Sequence, residues 1–190
     1  MERKAILKRS ILLLLMVLCW MPAFGQGSIG VRAKWSLLGN DGPSAGLVFH
    51  WTASEECPAF IQGGLEYSYL KSSIATSKAS LTHYCQSLSV PVIAGYELCD
   101  RRVRLGAGTD ISHILAKKTL KKMEGQPDEK YPDSSLFNRN YAQVLFNVEY
   151  LPKPFIGLSA GYSLGIPVSD NVKFATVSYN SLNLAITIYL

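Results

Sequence analysis

Apolar and polar residues alternate with period two along nearly the whole chain beyond residue 26. That period belongs to strands whose two faces meet different surroundings. Eight segments carry it, at roughly 28–38, 45–53, 59–71, 80–98, 102–115, 139–150, 154–166 and 179–190. In the last, Leu182, Leu184, Ile186, Ile188 and Leu190 share one face, and Ser181, Asn183, Ala185, Thr187 and Tyr189 the other. In the seventh, Ile156, Leu158, Ala160, Tyr162 and Leu164 alternate with Gly157, Ser159, Gly161, Ser163 and Gly165. In the fourth, Pro91 falls mid-strand. A residue without an N–H cannot donate to a ladder, so a bulge or local break is expected there.

The connections add an independent regularity. Those at 54–58, 99–101 and 151–153 are short; those after the third, fifth and seventh segments are longer, and 117–138 is the longest. Only the connection at 39–44 is short where a long one would be expected. Short turns at one end and long loops at the other are the pattern of outer-membrane barrels. The predicted fold is all-β: an eight-stranded antiparallel up-and-down transmembrane β-barrel over residues 26–190.

Alternation alone does not say which face is wet. A soluble ligand-binding barrel turns its apolar face inward and a membrane barrel turns it outward. The polar face is rich in Gly and Ser and carries charges of both signs: Arg32, Lys34, Glu66, Glu97, Arg102, Arg104, Asp110 and Glu149. An eight-stranded barrel is just wide enough for side chains to fill, so these eight are predicted to form a charge network in the lumen. No open pore is expected. On the apolar face Trp35, Trp51, Tyr67, Tyr69, Tyr84, Tyr96 and Tyr150 lie near strand ends, where interfacial girdles form. The final strand, ending on Leu190, has the apolar alternation of an outer-membrane assembly signal, with Leu in place of the more common Phe.

Four segments resemble the PorT-like outer-membrane β-barrel family of Bacteroidetes. The stretch from Tyr84 to Tyr96, YCQSLSVPVIAGY, resembles that family's "YLEIPLLLKY" strand. The stretch from Arg104 to Asp110 resembles the strand that follows it. Tyr162-Ser-Leu-Gly-Ile166 is similar to its "YSLGL" segment, and Asn180 to Leu190 to its closing strand. The resemblance implies an outer-membrane barrel and brings no catalytic residues with it.

Composition enters through the amino terminus. Arg3, Lys4, Lys8 and Arg9 precede an apolar run from Ile11 to Trp20, and Ala23-Phe24-Gly25 offers small residues for cleavage before Gln26. Residues 1–25 therefore read as a secretory signal peptide. Without those four bases and Glu2, nineteen bases and fourteen acids become fifteen and thirteen, a net of +2. The basic pI is thus partly a targeting feature, and nucleic acid is not an expected partner. Three cysteines remain, Cys57, Cys85 and Cys99, which excludes a complete disulfide framework. Cys57 and Cys99 fall in two short turns separated by two strands, which argues against a bridge between them. No Cys-x-x-Cys pair or His cluster suggests a metal, and no cofactor is expected.

Three function classes remain. The leading one is a non-enzymatic integral outer-membrane barrel acting through its loops. Its expected partners are outer-membrane lipid or lipopolysaccharide, the barrel-assembly machinery during insertion, and an unidentified protein at loop 117–138. Lys117, Lys118, Lys121 and Lys122 are candidate contacts for lipopolysaccharide phosphates at the base of that loop. The second class is a lipid A hydrolase, for which Ser112, His113 and Asp110 supply the residue types. Neighbours on a strand point to opposite faces, so Ser112 and His113 are poorly placed as nucleophile and base. The third is a soluble periplasmic ligand-binding barrel.

Overall fold

A computed structural model describes residues 26–37, 41–52, 54, 56–75, 79–123, 129–131, 140–167 and 180–190. The segment expected to be a signal peptide, 1–25, lies outside the described residues. Among the described residues nine strands occur in chain order: β1 (Gln26–Leu37), β2 (Gly42–Thr52), β3 (Ala59–Ala75), β4 (Ala79–Leu98), β5 (Val103–Met123), β6 (Glu129–Tyr131), β7 (Asn140–Lys153), β8 (Ile156–Pro167) and β9 (Ser181–Tyr189). Among the described residues every strand pairing is antiparallel, and β1 pairs with β9 while β4 pairs with β5, so eight strands close into a ring. The ninth, β6, is a three-residue strand on the free length of β5. It falls in the stretch 117–138, which the sequence pattern leaves as a loop.

The ring has a definite stagger. Its register runs from Thr52 through Phe60, Gly95, Gly106, Asn147, Gly161, Asn183 and Ser36, and re-enters β2 at Gly42, ten residues from the start. Ten residues of 3.3 Å against eight spacings of 4.8 Å tilt the strands by about 40°. At that tilt ten residues rise about 25 Å, the height of a barrel's apolar band.

Burial is inverted relative to a soluble domain. Ile29, Val31, Leu47, Leu65, Val92, Leu105, Val148, Ile186 and Ile188 are exposed on the outer surface, while Glu66, Glu149, Arg32, Ser87, Ser112 and Thr187 are buried inside. The aromatic residues separate by height. Trp35, Tyr67 and Tyr69 stand exposed toward the loop end, and Tyr96 and Tyr150 toward the turn end; Tyr84 and Trp51 join these two groups half-buried.

Two local expectations are corrected and one is narrowed. Of the bulge or local break expected at Pro91, the structure shows the break: the β3–β4 register is the same on both sides, and only the Gly64 and Leu65 pairings are missing. A buried proline facing Gly64 is accommodated by a gap because Gly64 leaves room for its ring. The bulge lies instead between Gln86 and Ser87, where Leu115 is the extra residue of β5. Second, β5 continues to Met123, so Lys117, Lys118, Lys121 and Lys122 lie on a strand paired with β4, not at the base of a loop. Third, the turns holding Cys57 and Cys99 are neighbours, because β3 starts where β4 ends. Glu97 N donates to Pro58 O at 2.7 Å and Arg101 Nη2 to Ser54 O at 3.2 Å. Both cysteines are free thiols.

Candidate functional site

The lumen is built from the inward positions of all eight barrel strands, and seven of them carry the polar network. Arg32 on β1 donates from Nε to Thr187 Oγ1 on β9 and from Nη2 to Gln62 Oε1 on β3, both at 3.0 Å. Its guanidinium also lies 3.6 Å from Glu66 and 3.9 Å from Glu149. Lys34, one inward position along β1, pairs with the second oxygen of Glu66. Gln62 Nε2 donates to Tyr189 Oη at 3.0 Å, and the Tyr189 hydroxyl donates to the Glu149 carboxylate, 2.9 and 2.8 Å from its oxygens.

Arg104 on β5 joins the remaining carboxylates. It donates from Nε to Glu97 Oε1 at 2.9 Å and from Nη1 to Glu149 Oε2 at 3.1 Å, and its guanidinium lies 5.0 Å from the Tyr189 ring centroid. His50 Nε2 meets the same Glu97 oxygen at 3.0 Å. Arg32, Lys34 and Arg104 thus balance Glu66, Glu97 and Glu149, and Arg101 in the β4–β5 turn stands 3.6 Å from the second Glu97 oxygen. Such matching is what permits ions in a low-dielectric interior.

Small residues make the space. A Cβ on Gly46 would lie 2.9 Å from Glu66 Cγ, and one on Gly157 would run into the Glu149 carboxylate. The cavity left beside Arg32, Lys34, Glu66 and Asn147 is about 40 Å³, room for a few waters.

Two of the eight predicted charges stand apart from this network. Arg102 lies in the β4–β5 turn and is exposed to solvent, because β5 begins only at Val103. Asp110 is inside but higher in the barrel, accepting from Ser112 at 3.4 Å, with no hydrogen-bond partner for its other oxygen among the described residues. Above it, Leu70, Cys85, Ile114 and Tyr141 form a small apolar cluster. Sequence reasoning missed Gln62, His50, Thr187 and Tyr189 as network members. Thr187 and Tyr189 do fall on the polar face of their strand by alternation, His50 keeps step with Thr52 and Gln62 with Glu66. Ser112 is buried in the lumen while His113 is exposed, so the two are on opposite sides of the wall. Among the described residues, no group of three or more His, Cys, Asp or Glu is placed to hold a metal ion.

Of the four lysines, Lys118 is exposed opposite Tyr84. Lys117, Lys121 and Lys122 pair along the backbone with Cys85, Leu81 and Ser80, and their side chains lie outside the described residues.

No family model matches the chain, and no curated protein matches it. Among solved structures it is similar to Neisserial surface protein A, with 17% identity and a TM-score of 0.47 over 85% of this chain and 94% of that one. It is similar to Ail, the attachment invasion locus protein of Yersinia pestis, crystallised with the heparin analogue sucrose octasulfate, with 11% identity and a TM-score of 0.48 over 87% and 99%. The N-terminal β-barrel domain of Pseudomonas aeruginosa OprF shares 13% identity at a TM-score of 0.42, over 87% and 99%. These neighbours are eight-stranded outer-membrane barrels.

Proposed function

We propose that this chain is a non-enzymatic integral outer-membrane protein whose lumen is closed by a salt-bridge plug and which works through the loop end of its barrel. The observation that carries this reading is the inverted burial: an apolar band outside, bounded by two groups of aromatic residues, and paired charges within. In hydrocarbon every unpaired backbone N–H or C=O costs several kcal/mol, so a spanning sheet must close on itself. This one does.

Export by the predicted signal peptide, cleaved between Gly25 and Gln26, and insertion by the barrel-assembly machinery belong to the same proposal. The four PorT-like segments coincide with parts of β4, β5, β8 and β9, in order along the chain. Contact with a protein partner at 117–138 belongs to the same proposal, carried there by the end of β5 and by β6 beside the equally extended β4. Strands β4 and β5 run to 20 and 21 residues, about twice what a tilted strand needs to span a bilayer.

The test is membrane fractionation followed by electrophoresis of boiled and unboiled samples. Recovery in the outer membrane, with faster migration unboiled, supports a closed membrane barrel. Release as soluble protein by osmotic shock overturns it. Porin-like conductance in planar bilayers would overturn the plug alone.

A further inference from the structure

We infer that the outer wall of the barrel carries a clamp for the phosphate-bearing headgroup of an outer-leaflet lipopolysaccharide, formed by Lys71 and Lys118 on either side of Tyr84, with Tyr69 below. The inference rests on the outer-membrane reading above.

The register sets the residues in a row. Lys71 on β3 is directly opposite Tyr84 on β4, and Tyr84 is directly opposite Lys118 on β5. Opposed residues have Cβ atoms about 5 Å apart, so the two lysine stems stand about 10 Å apart across the tyrosine. Both lysines are exposed and Tyr84 is half-buried. The adjacent row toward the apolar band is Tyr69, Gln86 and Ala116. The rings of Tyr69 and Tyr84 lie 6.3 Å apart. With the small Ala116 they line a groove of about 380 Å³ that also takes in Lys118 and Leu120.

The bulge makes this site. Along β5, the even-numbered Asp110, Ser112 and Ile114 point inward. Unbroken alternation would carry residue 118 inward too. Leu115 adds one position, and the exposed Ala116 and Lys118 emerge on the outer wall instead.

The order of chemistry along the wall matches one occupant. The exposed Leu88 and Tyr67 belong to the apolar band, Tyr69 comes in the next row, and the two cations flank Tyr84 in the row farthest from the band. A lipid seated here would lay its acyl chains on the band, its sugar edges against the tyrosine rings and its phosphate between the ammonium groups. At that boundary an ion pair is screened less than in bulk water. Asp41, the residue before β2, continues the row through an isolated backbone bridge to Lys71, but its carboxylate accepts the Trp35 indole N–H at 2.8 Å.

The test uses the purified, folded full-length barrel in a zwitterionic detergent, with heat-modifiable migration confirming the fold of every sample. Retained lipid is counted by native mass spectrometry after exposure to bisphosphorylated lipid A or to the same lipid stripped of phosphates. The expected result is phosphate-dependent retention, weakened about tenfold in Lys71→Gln/Lys118→Gln and restored in Lys71→Arg/Lys118→Arg. Equal retention of both lipids, or phosphate-dependent retention untouched by the glutamine pair, overturns the clamp. Displacement of lipid A by millimolar inorganic phosphate would make it a site for free anions and overturn the lipid assignment. If the heat-modifiable form is absent in wild type, it is the outer-membrane reading that fails.

Discussion

Gly157 lies directly over the carboxylate of Glu149: a Cβ at residue 157 would sit 2.9 Å from Glu149 Cδ and 3.2 Å from Cγ. Glu149 cannot swing aside freely, because Arg104 and Tyr189 hold its two oxygens. A side chain at 157 therefore forces the carboxylate from its partners. Gly157→Val is expected to destabilise the barrel by about 1–3 kcal/mol, read as a lower urea midpoint for loss of the heat-modifiable form. An unchanged midpoint would show that Glu149 repacks without loss.

Arg104 compensates two buried carboxylates at once. Arg104→Met leaves Glu97 and Glu149 short of their shared cation, and the expected loss is about 3–5 kcal/mol, as for other broken buried pairs. Adding Glu149→Gln removes one of the stranded charges. The double variant is therefore expected to recover part of that loss in the same urea titration, and additive losses would deny the coupling.

Planar-bilayer recordings are expected to show no steady porin-like conductance from the wild-type protein. The 40 Å³ cavity is too small to hold a water column. Removing the plug's cationic side with Arg32→Gly/Lys34→Gly should raise conductance, provided the variant still migrates as a folded barrel.

The β4–β5 turn has three successive residues in left-handed backbone, Cys99, Asp100 and Arg101, with φ of 52°, 54° and 65°. None is glycine, and each such residue costs about 1 kcal/mol. Asp100 is exposed, so Asp100→Gly is expected to stabilise by about 0.5–1 kcal/mol in urea. A lower midpoint would mean that the Asp100 side chain contributes more than its backbone costs.

Thiol labelling separates the cysteines. Cys99 is exposed and Cys57 half-buried, whereas Cys85 is buried with Leu70 and Ile114. Maleimide is expected to modify the folded protein at Cys99 and Cys57 and to reach Cys85 only after unfolding. Rapid labelling of Cys85 would show the upper lumen open to solvent.

Period-two alternation sorted the residues before the Leu115 bulge into two faces, and the Gly, Ser and paired charges gathered on one of them marked that face as the inner one. Arg32, Lys34, Glu66, Glu97, Arg104, Asp110 and Glu149 are all inward, and only Arg102, one residue before its strand begins, is not. Alternation records side but not height, because the pattern repeats identically at every level. The ten-residue stagger that brings Arg32 beside Gln62 and Thr187 is a property of ring closure, and no local pattern encodes it. The same limit hid the clamp row: Lys71, Tyr84 and Lys118 meet through two strand registers and one bulge at Leu115. The tertiary structure alone decided those neighbours, because a register is chosen by all the pairs of a strand together, whereas a face is chosen by each residue against its own surroundings.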